Sequence, residues 1–334
     1  MHRTAALLTA LWSANALAQT APAPHTPTVL PIEAFTRFDE FGGLTISPDG
    51  KFVAVLSGEQ GGSQLAFVDL DGKRIVSGAV TTADSRSKIR AYRWLGPSRL
   101  MFTMQGSTPS RVTPRRSAEI YAIDRDGSDR RLIYYGYPTA RVLGSTRSSD
   151  PQHLLVAQYE LRNVGGLYYE NGDARATVCR VNVYIDQPNY TGCRQVEQAP
   201  FGNAQFLLDR DEQVRFVLGT TEELAPVVGW KPDTEGKWQT FELDVLRYEG
   251  LEPVRLGPDD RSVFLIGMHY DEAFAALYRL DLRTRQLAKV YGFGNADVHD
   301  VITDFADSKI VGVRGYAERQ LEHWLLRSLR SNSC

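Results

Sequence analysis

The chain has 334 residues, 43% of them hydrophobic and 23% charged, a balance that supports a large folded core and argues against long disorder. Its 38 Lys and Arg residues nearly cancel 40 Asp and Glu, so no net field draws a polyanion and nucleic acid is not an expected partner.

The N-terminus carries Arg3, a mostly apolar stretch from Thr4 to Ala14, and the small residues of Ala16-Leu17-Ala18 before Gln19. This is the pattern of a secretory signal peptide over residues 1–18, and it implies a secreted or periplasmic protein. The apolar run falls short of the ~20 residues that a membrane helix needs, and no later segment reaches that length. Residues 19–29, with Pro22, Pro24 and Pro27, read as an extended linker.

From there the chain repeats. β-rich units start near Leu44, Ile89, Ala140, Ala204, Leu251 and Val298, at steps of 45, 51, 64, 47 and 47 residues. That period suits a four-stranded propeller blade. In the first unit Leu44-Thr45-Ile46 leads into the turn Ser47-Pro48-Asp49-Gly50, an apolar strand Phe52–Leu56 follows, and Leu65–Asp69 closes on an Asp turn. Pro presets such a turn and Asp-Gly completes it at low steric cost. The second unit repeats the order with Tyr92–Leu95, Gly96-Pro97-Ser98, Leu100–Thr103 and Ile120–Asp124. The fifth does so with Val254–Leu256, Gly257-Pro258-Asp259-Asp260, Val263–Ile266 and Leu277–Asp281. Strand follows strand with no crossover helix. The expected fold is therefore an all-β, six- to seven-bladed β-propeller of four-stranded antiparallel blades over residues 30–317, with any seventh blade shared between the N-terminal segment and the residues after Val298.

The longest step holds extra material, and Tyr168–Arg175 and Asp186–Gly192 read as inserted loops, where contacts with substrates or partners are often placed. In an oxidising compartment Cys179 and Cys193 would close a short loop as a disulfide. The alternative is two reduced thiols on neighbouring strands, because a turn near Pro188 puts Cys179 opposite a residue beyond Cys193. Cys334 has no evident partner. Leu321, Trp324, Leu325 and Leu329 recur at helical spacing, so residues 318–334 are expected to form a helical tail.

Few residues offer chemistry. His299 lies between Asp297 and Asp300, but in an extended segment such neighbours point to different faces. His153, His269 and His323 stand alone, without the paired spacing of a zinc peptidase. Asp69-x-Asp71-Gly72 and Asp124-x-Asp126-Gly127 start like calcium loops, yet the bidentate Glu at the twelfth position is missing, so they read as turns. Arg115-Arg116 and Arg130-Arg131 read as solvated basic turns. Trp94, Trp230, Trp238 and Trp324 are read as filling the space between blades. No catalytic residue, cofactor or metal site is expected.

The turn Ser47–Lys51 with its following strand, Tyr121–Asp124 and Leu277–Asp281 resemble the N-terminal propeller of prolyl oligopeptidase family serine peptidases. The likeness is to bacterial exported acylaminoacyl peptidases and dipeptidyl aminopeptidases, and it covers roughly residues 30–325. The segments Asp297–Asp300, Val311–Tyr316 and His323-Trp324-Leu325 extend it, although the Ser-Pro-Asp-Gly turn also occurs in TolB-type propellers. The resemblance implies a propeller that gates access of peptides to a Ser-His-Asp hydrolase domain. That domain needs a Gly-x-Ser-x-Gly elbow; Gly61-Gly62-Ser63-Gln64-Leu65 fails it at Leu65. It also needs roughly 200 to 250 further residues. The chain is thus expected to be inactive alone, its partners peptides or a hydrolase domain. The resemblance also singles out Glu222 and Glu223, since related dipeptidyl peptidases hold a substrate's α-amine with paired propeller glutamates; a solvated loop is the other reading. A free-standing TolB-like propeller binding a protein or peptide is the alternative function. A propeller hydrolase with its own central site would need convergent polar groups that the sequence does not display.

Overall fold

A computed structural model describes residues 41–325, apart from 60–61, 82–86, 107–118, 136–138, 145–149, 166, 187–192, 234–235, 244–247 and 305–308. The signal peptide, the linker, Arg115-Arg116 and Cys334 lie outside the described residues.

The described residues form a six-bladed propeller in which every sheet pairing is antiparallel. Blade 1 is β1 (Phe41–Ile46), β2 (Phe52–Glu59), β3 (Gly62–Asp69) and β4 (Arg74–Thr81). Blade 2 is β5 (Ser87–Trp94), β6 (Arg99–Gly106), β7 (Glu119–Asp124) and β8 (Arg131–Tyr134). Blade 3 is β9 (Thr139–Val142), β10 (His153–Tyr159), β13 (Thr177–Asn182) and β14 (Arg194–Gln198), with the hairpin β11 (Leu161–Val164) and β12 (Leu167–Glu170) inserted between its second and third strands. Blade 4 is β15 (Gly202–Leu208), β16 (Val214–Thr220), β17 (Pro226–Trp230) and β18 (Gln239–Glu242). Blade 5 is β19 (Tyr248–Leu256), β20 (Ser262–His269), β21 (Ala276–Asp281) and β22 (Leu287–Tyr291). Blade 6 has three strands among the described residues, β23 (Val298–Thr303), β24 (Ile310–Tyr316) and β25 (Gln320–Trp324). Each of the six repeat starts read from the sequence falls on the first strand of a blade.

Turn chemistry sets this order locally. Ser47 Oγ donates to Asp49 Oδ1 at 2.6 Å and accepts from Phe52 N at 2.9 Å, while Gly50 takes the positive φ of 72° that closes the turn. The same architecture recurs in blade 5, where Asp259 Oδ1 accepts from Arg261 N and Ser262 Oγ. At the turns after third strands the Asp carboxylates cap backbone amides: Asp69 Oδ1 accepts from Asp71 N and Gly72 N, and Asp281 Oδ1 from Arg283 N and Thr284 N. The two segments that start like calcium loops are turns: Asp69 caps the first, and in the second Asp126 accepts from Ser128 N and Oγ while the Asp124 carboxylate binds Arg99.

Packing between blades builds the core. Along β16 residues alternate between two apolar clusters: Phe216 and Leu218 face blade 5 with Leu256, Val263 and Leu265, while Val214 and Val217 face blade 3 with Ala157 and Val178. A strand covered on both sides is hydrophobic at nearly every position, and Val214–Gly219 is buried throughout. Five such clusters each join consecutive blades, from blades 1 and 2 to blades 5 and 6. Among the described residues none joins blade 6 to blade 1, and Leu44 and Ile46 of β1 remain exposed. Trp94 fills the blade 1–2 seam and donates from Nε1 to Thr45 O at 3.1 Å; Trp230 and Trp238 pack at the seams of blade 4.

Two sequence expectations meet the structure here. The helical tail is corrected within the described residues: Gln320–Trp324 is strand β25, paired with β24 from Gly312↔Trp324 to Tyr316↔Gln320. The open edge of β24 supplies a ladder for this segment, and the stacking of His323 on Tyr291 at 3.9 Å fixes its face, so tertiary pairing overrides the helical spacing. Residues 326–334 lie outside the described residues. Cys179 and Cys193 form a disulfide, with Cα atoms 5.3 Å apart. Cys179 does pair with a residue beyond Cys193, Gln195. A bulge between Val178 and Cys179 shifts the ladder there, and the bridge runs diagonally between the strands.

Candidate functional site

A four-stranded blade returns the chain to the face it left, so all turns between second and third strands open on one face, where β1 also begins. Turns between first and second strands, and between third and fourth, open on the other. These two faces differ in chemistry.

The second of these holds a cleft of about 240 Å³ between blades 3 and 4, reached also by Arg93 of β5. Most of its charged groups are matched internally. Asp150 accepts from His153 Nδ1 at 2.9 Å and from Arg180; burial opposes its ionisation, but the Arg180 and His153 contacts hold its carboxyl below the ordinary range. Glu197 takes Lys231 and the indole N–H of Trp238 at 3.2 Å. Arg93 donates to the carbonyls of Leu143, at 3.1 Å, and Gly144. Most of these bonds tie neighbouring strands or blades, and among the described residues no Ser or Cys lines the cleft.

Two buried arginines on the same side have equivalent roles. Arg99, 1% exposed, donates from Nε and Nη2 to Val183 O at 3.0 and 2.6 Å, and from Nη1 to Asp124 Oδ1 at 2.7 Å, and lies 4.2 Å from the Tyr184 ring. Arg215 reaches the carbonyls of Lys231 and Pro232 at 2.7 and 2.6 Å. The sequence carries no sign of either, because most of their acceptors are backbone carbonyls distant in the chain.

The first face carries the residues singled out by the resemblance. Glu222 and Glu223 are exposed in the turn joining β16 to β17, which closes through Thr221 N to Ala225 O at 2.8 Å and Leu224 N to Thr221 O at 3.0 Å. Neither glutamate forms an ion pair with a described residue. The inserted β11–β12 hairpin stands beside this turn. Its exit at Gly172 accepts a hydrogen bond from Asn203 N at 2.9 Å, and Asn203 Nδ2 donates to Thr220 Oγ1 at 2.8 Å. Gly202 lets the two backbones approach, for a Cβ there would run into the Gly172 carbonyl. The hairpin is pinned further by Arg141 Nη2 to Glu170 Oε2 at 2.9 Å. The insertion expected over Tyr168–Arg175 is thus the second half of a hairpin with its exit turn, while residues 187–192 of the other expected loop lie outside the described residues.

The histidines are dispersed. His299 sits 5.4 Å from Tyr316, His323 stacks on Tyr291, and His269 lies against Tyr248. Among the described residues no three His, Cys, Asp or Glu side chains converge on a metal position.

Fold and surface together define a β-propeller with an inserted hairpin on one face and a cleft rich in ion pairs on the other. No family model and no curated protein sequence matches the chain. Among solved structures it is similar to the β-propeller domain of the Trilobed protease from Pyrococcus furiosus, described as having an open velcro topology. The TM-score is 0.51 at 12% identity, over 86% of this chain and 84% of that one. It is also similar to an acylaminoacyl peptidase in complex with Z-Gly-Gly-Phe-chloromethyl ketone (TM-score 0.50, 12% identity) and to the acylaminoacyl peptidase of Pyrococcus horikoshii (TM-score 0.50, 11% identity). In both the match covers 86% of this chain but 45% of the peptidase, so the chain spans less than half their length. The chain has the fold of peptidase propeller domains.

Proposed function

We propose that this chain is a non-catalytic, exported propeller that admits and positions peptides for a serine hydrolase domain. The observation that carries the reading is the coverage. The match accounts for 84% of a peptidase propeller domain taken by itself and for 45% of acylaminoacyl peptidases taken whole. The absence of a Gly-x-Ser-x-Gly elbow from the sequence supports it. Substrates would meet the face on which β1 begins, where the inserted hairpin and the Glu222-Glu223 turn stand together. In this reading the two carboxylates hold the α-amine of a peptide, a charge-assisted contact. The signal-like segment at residues 1–18 supports export to the periplasm or beyond, a compartment in which the Cys179–Cys193 bridge persists.

The test is twofold. The purified chain is assayed on chromogenic peptide and acyl-peptide substrates, with no turnover expected. Turnover that survives purification and is blocked by a serine-reactive phosphonate overturns the non-catalytic reading. The coding sequence following the Cys334 codon is then read. An open frame with Gly-x-Ser-x-Gly followed by Asp and His supports a hydrolase in the same polypeptide, and its absence points to a module acting in trans.

A further inference from the structure

The turns between second and third strands of blades 3 to 6 share a composition. Each presents a large exposed apolar side chain beside a carboxylate. Blade 3 offers Tyr169, 50% exposed, next to Glu170; blade 4 offers Leu224, 68% exposed, next to Glu222 and Glu223. Blade 5 offers Tyr270, 61% exposed, next to Asp271 and Glu272, and blade 6 offers Tyr316, 53% exposed, two residues before Glu318. Successive blades place these groups in an arc on one face. Scattered single apolar residues on a surface need no explanation, but four in register, one per blade, form a pattern. Leu224 is unfavourable twice over, being exposed and held at a positive φ of 65°, a backbone conformation that L side chains rarely adopt.

Charge concentrates on the same turns. Residues 160–175, 221–225, 270–275 and 317–319 hold eight acidic residues against three arginines, in a chain where the totals are 40 and 38. Some of the acids are matched locally, as Glu170 is by Arg141 and Glu272 by Lys289 at 2.7 Å. Glu222 and Glu223 pair with no described residue, and Asp271 is 90% exposed, with His269 3.5 Å away as its one ion-pair partner among the described residues. Aromatic faces and carboxylates side by side suit one kind of guest. Ammonium and guanidinium groups are drawn by both, through ion pairing and cation–π attraction, while neighbouring apolar side chains bury against the tyrosines and Leu224.

We infer that this arc is a docking surface for cationic polypeptide segments in which Lys or Arg alternates with apolar residues. The inference narrows the proposed function, since it names the peptide class that the face prefers, and it needs the propeller alone. An anionic segment is excluded by the like charge of the turns, and a neutral one gains only the apolar contacts.

The experiment uses the full chain and two fluorescein-labelled decapeptides, one alternating Lys or Arg with Leu or Phe and the other with Glu at every cationic position. Binding is read by fluorescence anisotropy at two salt concentrations. The cationic peptide is expected to bind at least about tenfold more tightly than the anionic one, and to weaken as salt rises. Substituting Glu222→Gln, Glu223→Gln and Asp271→Asn together is expected to remove most of that preference. Tyr270→Phe should leave affinity nearly unchanged and Tyr270→Ala should weaken it several-fold. Asp71→Asn with Asp126→Asn, on the opposite face, should change nothing. All these side chains are exposed, and circular dichroism confirms that each variant folds. Equal affinity for the two peptides, no binding of either, or a preference that persists in the triple variant overturns the inference. None of those results bears on the acyl-peptide assay, so the two readings fail separately.

Discussion

Replacing Arg99 with Met tests how blades 2 and 3 are held together. The substitution keeps an unbranched apolar stem and removes the guanidinium. What is lost is specific: two bonds to Val183 O, the bond to Asp124 at 2.7 Å and the ion pair to Asp129 at 3.2 Å. Breaking a buried pair by removing one partner costs roughly 3–5 kcal/mol, because the remaining charge is stranded. Here the stranded carboxylates are 29% and 30% exposed and regain water. The Val183 carbonyl, next to a buried core residue, regains less. The expected loss is therefore at the lower end, about 3 kcal/mol. Arg99→Lys should fall between, since an ammonium restores a charge but cannot reach both Val183 and Asp124 with the planar fork. The assay is urea unfolding followed by tryptophan fluorescence, with the midpoint shift compared across wild type, Lys and Met. A loss under about 1 kcal/mol for Arg99→Met, or a Lys variant as unstable as Met, would refute the argument that the fork itself binds the seam.

Other outcomes follow from the same structure. Asp260 has its Oδ1 buried without a hydrogen-bond partner among the described residues, and burial together with Asp209 raises its pKa. A raised folded pKa means that its contribution is fully present below the unfolded carboxylate range and is lost as pH rises through the folded value. Asp260→Asn is accordingly expected to stabilise by about 1 kcal/mol at neutral pH and to give no gain near pH 3, as read by thermal melts at both. Asp150 carries the opposite sign: with its carboxyl held low, its stabilisation is complete above the ordinary carboxylate range and disappears as pH falls through the folded value. Asp150→Asn should flatten the acid limb of the stability profile. Replacing Cys179 and Cys193 by Ser should cost about 3 kcal/mol, matched by reducing the wild type. Gly202→Ala, which drives a methyl into the Gly172 carbonyl, should destabilise by about 1–3 kcal/mol and weaken peptide binding, since it displaces the inserted hairpin.

Much of this fold was legible before any coordinates. Asp49 and Gly50 set their turn through partners within five residues, as Asp259 and Asp281 do, and such short-range chemistry repeats visibly along a chain. The insertion in the longest repeat shows as extra length, and Trp94, Trp230 and Trp238 fill space between blades as their size suggests, whereas Trp324 belongs to none of the described core clusters. The sequence leaves the disulfide undecided because a single bulge at Val178/Cys179 shifts the ladder there, and a bulge leaves no compositional mark. The face that presents Tyr169, Leu224, Tyr270 and Tyr316 was not seen at all, for nothing in the sequence distinguishes an exposed tyrosine from a buried one such as Tyr278.

The sequence by itself determined the repeat, where six of its first strands fall, the turn residues and the lack of a hydrolase elbow, because each depends on neighbours a few positions away. Only the tertiary structure decided that Gln320–Trp324 is a strand, that Arg99 reaches a carbonyl 84 positions onward, and that four turns 46 to 55 residues apart in sequence share one face. Those outcomes depend on which blade edge or carbonyl lies opposite, and that is fixed only when the blades pack.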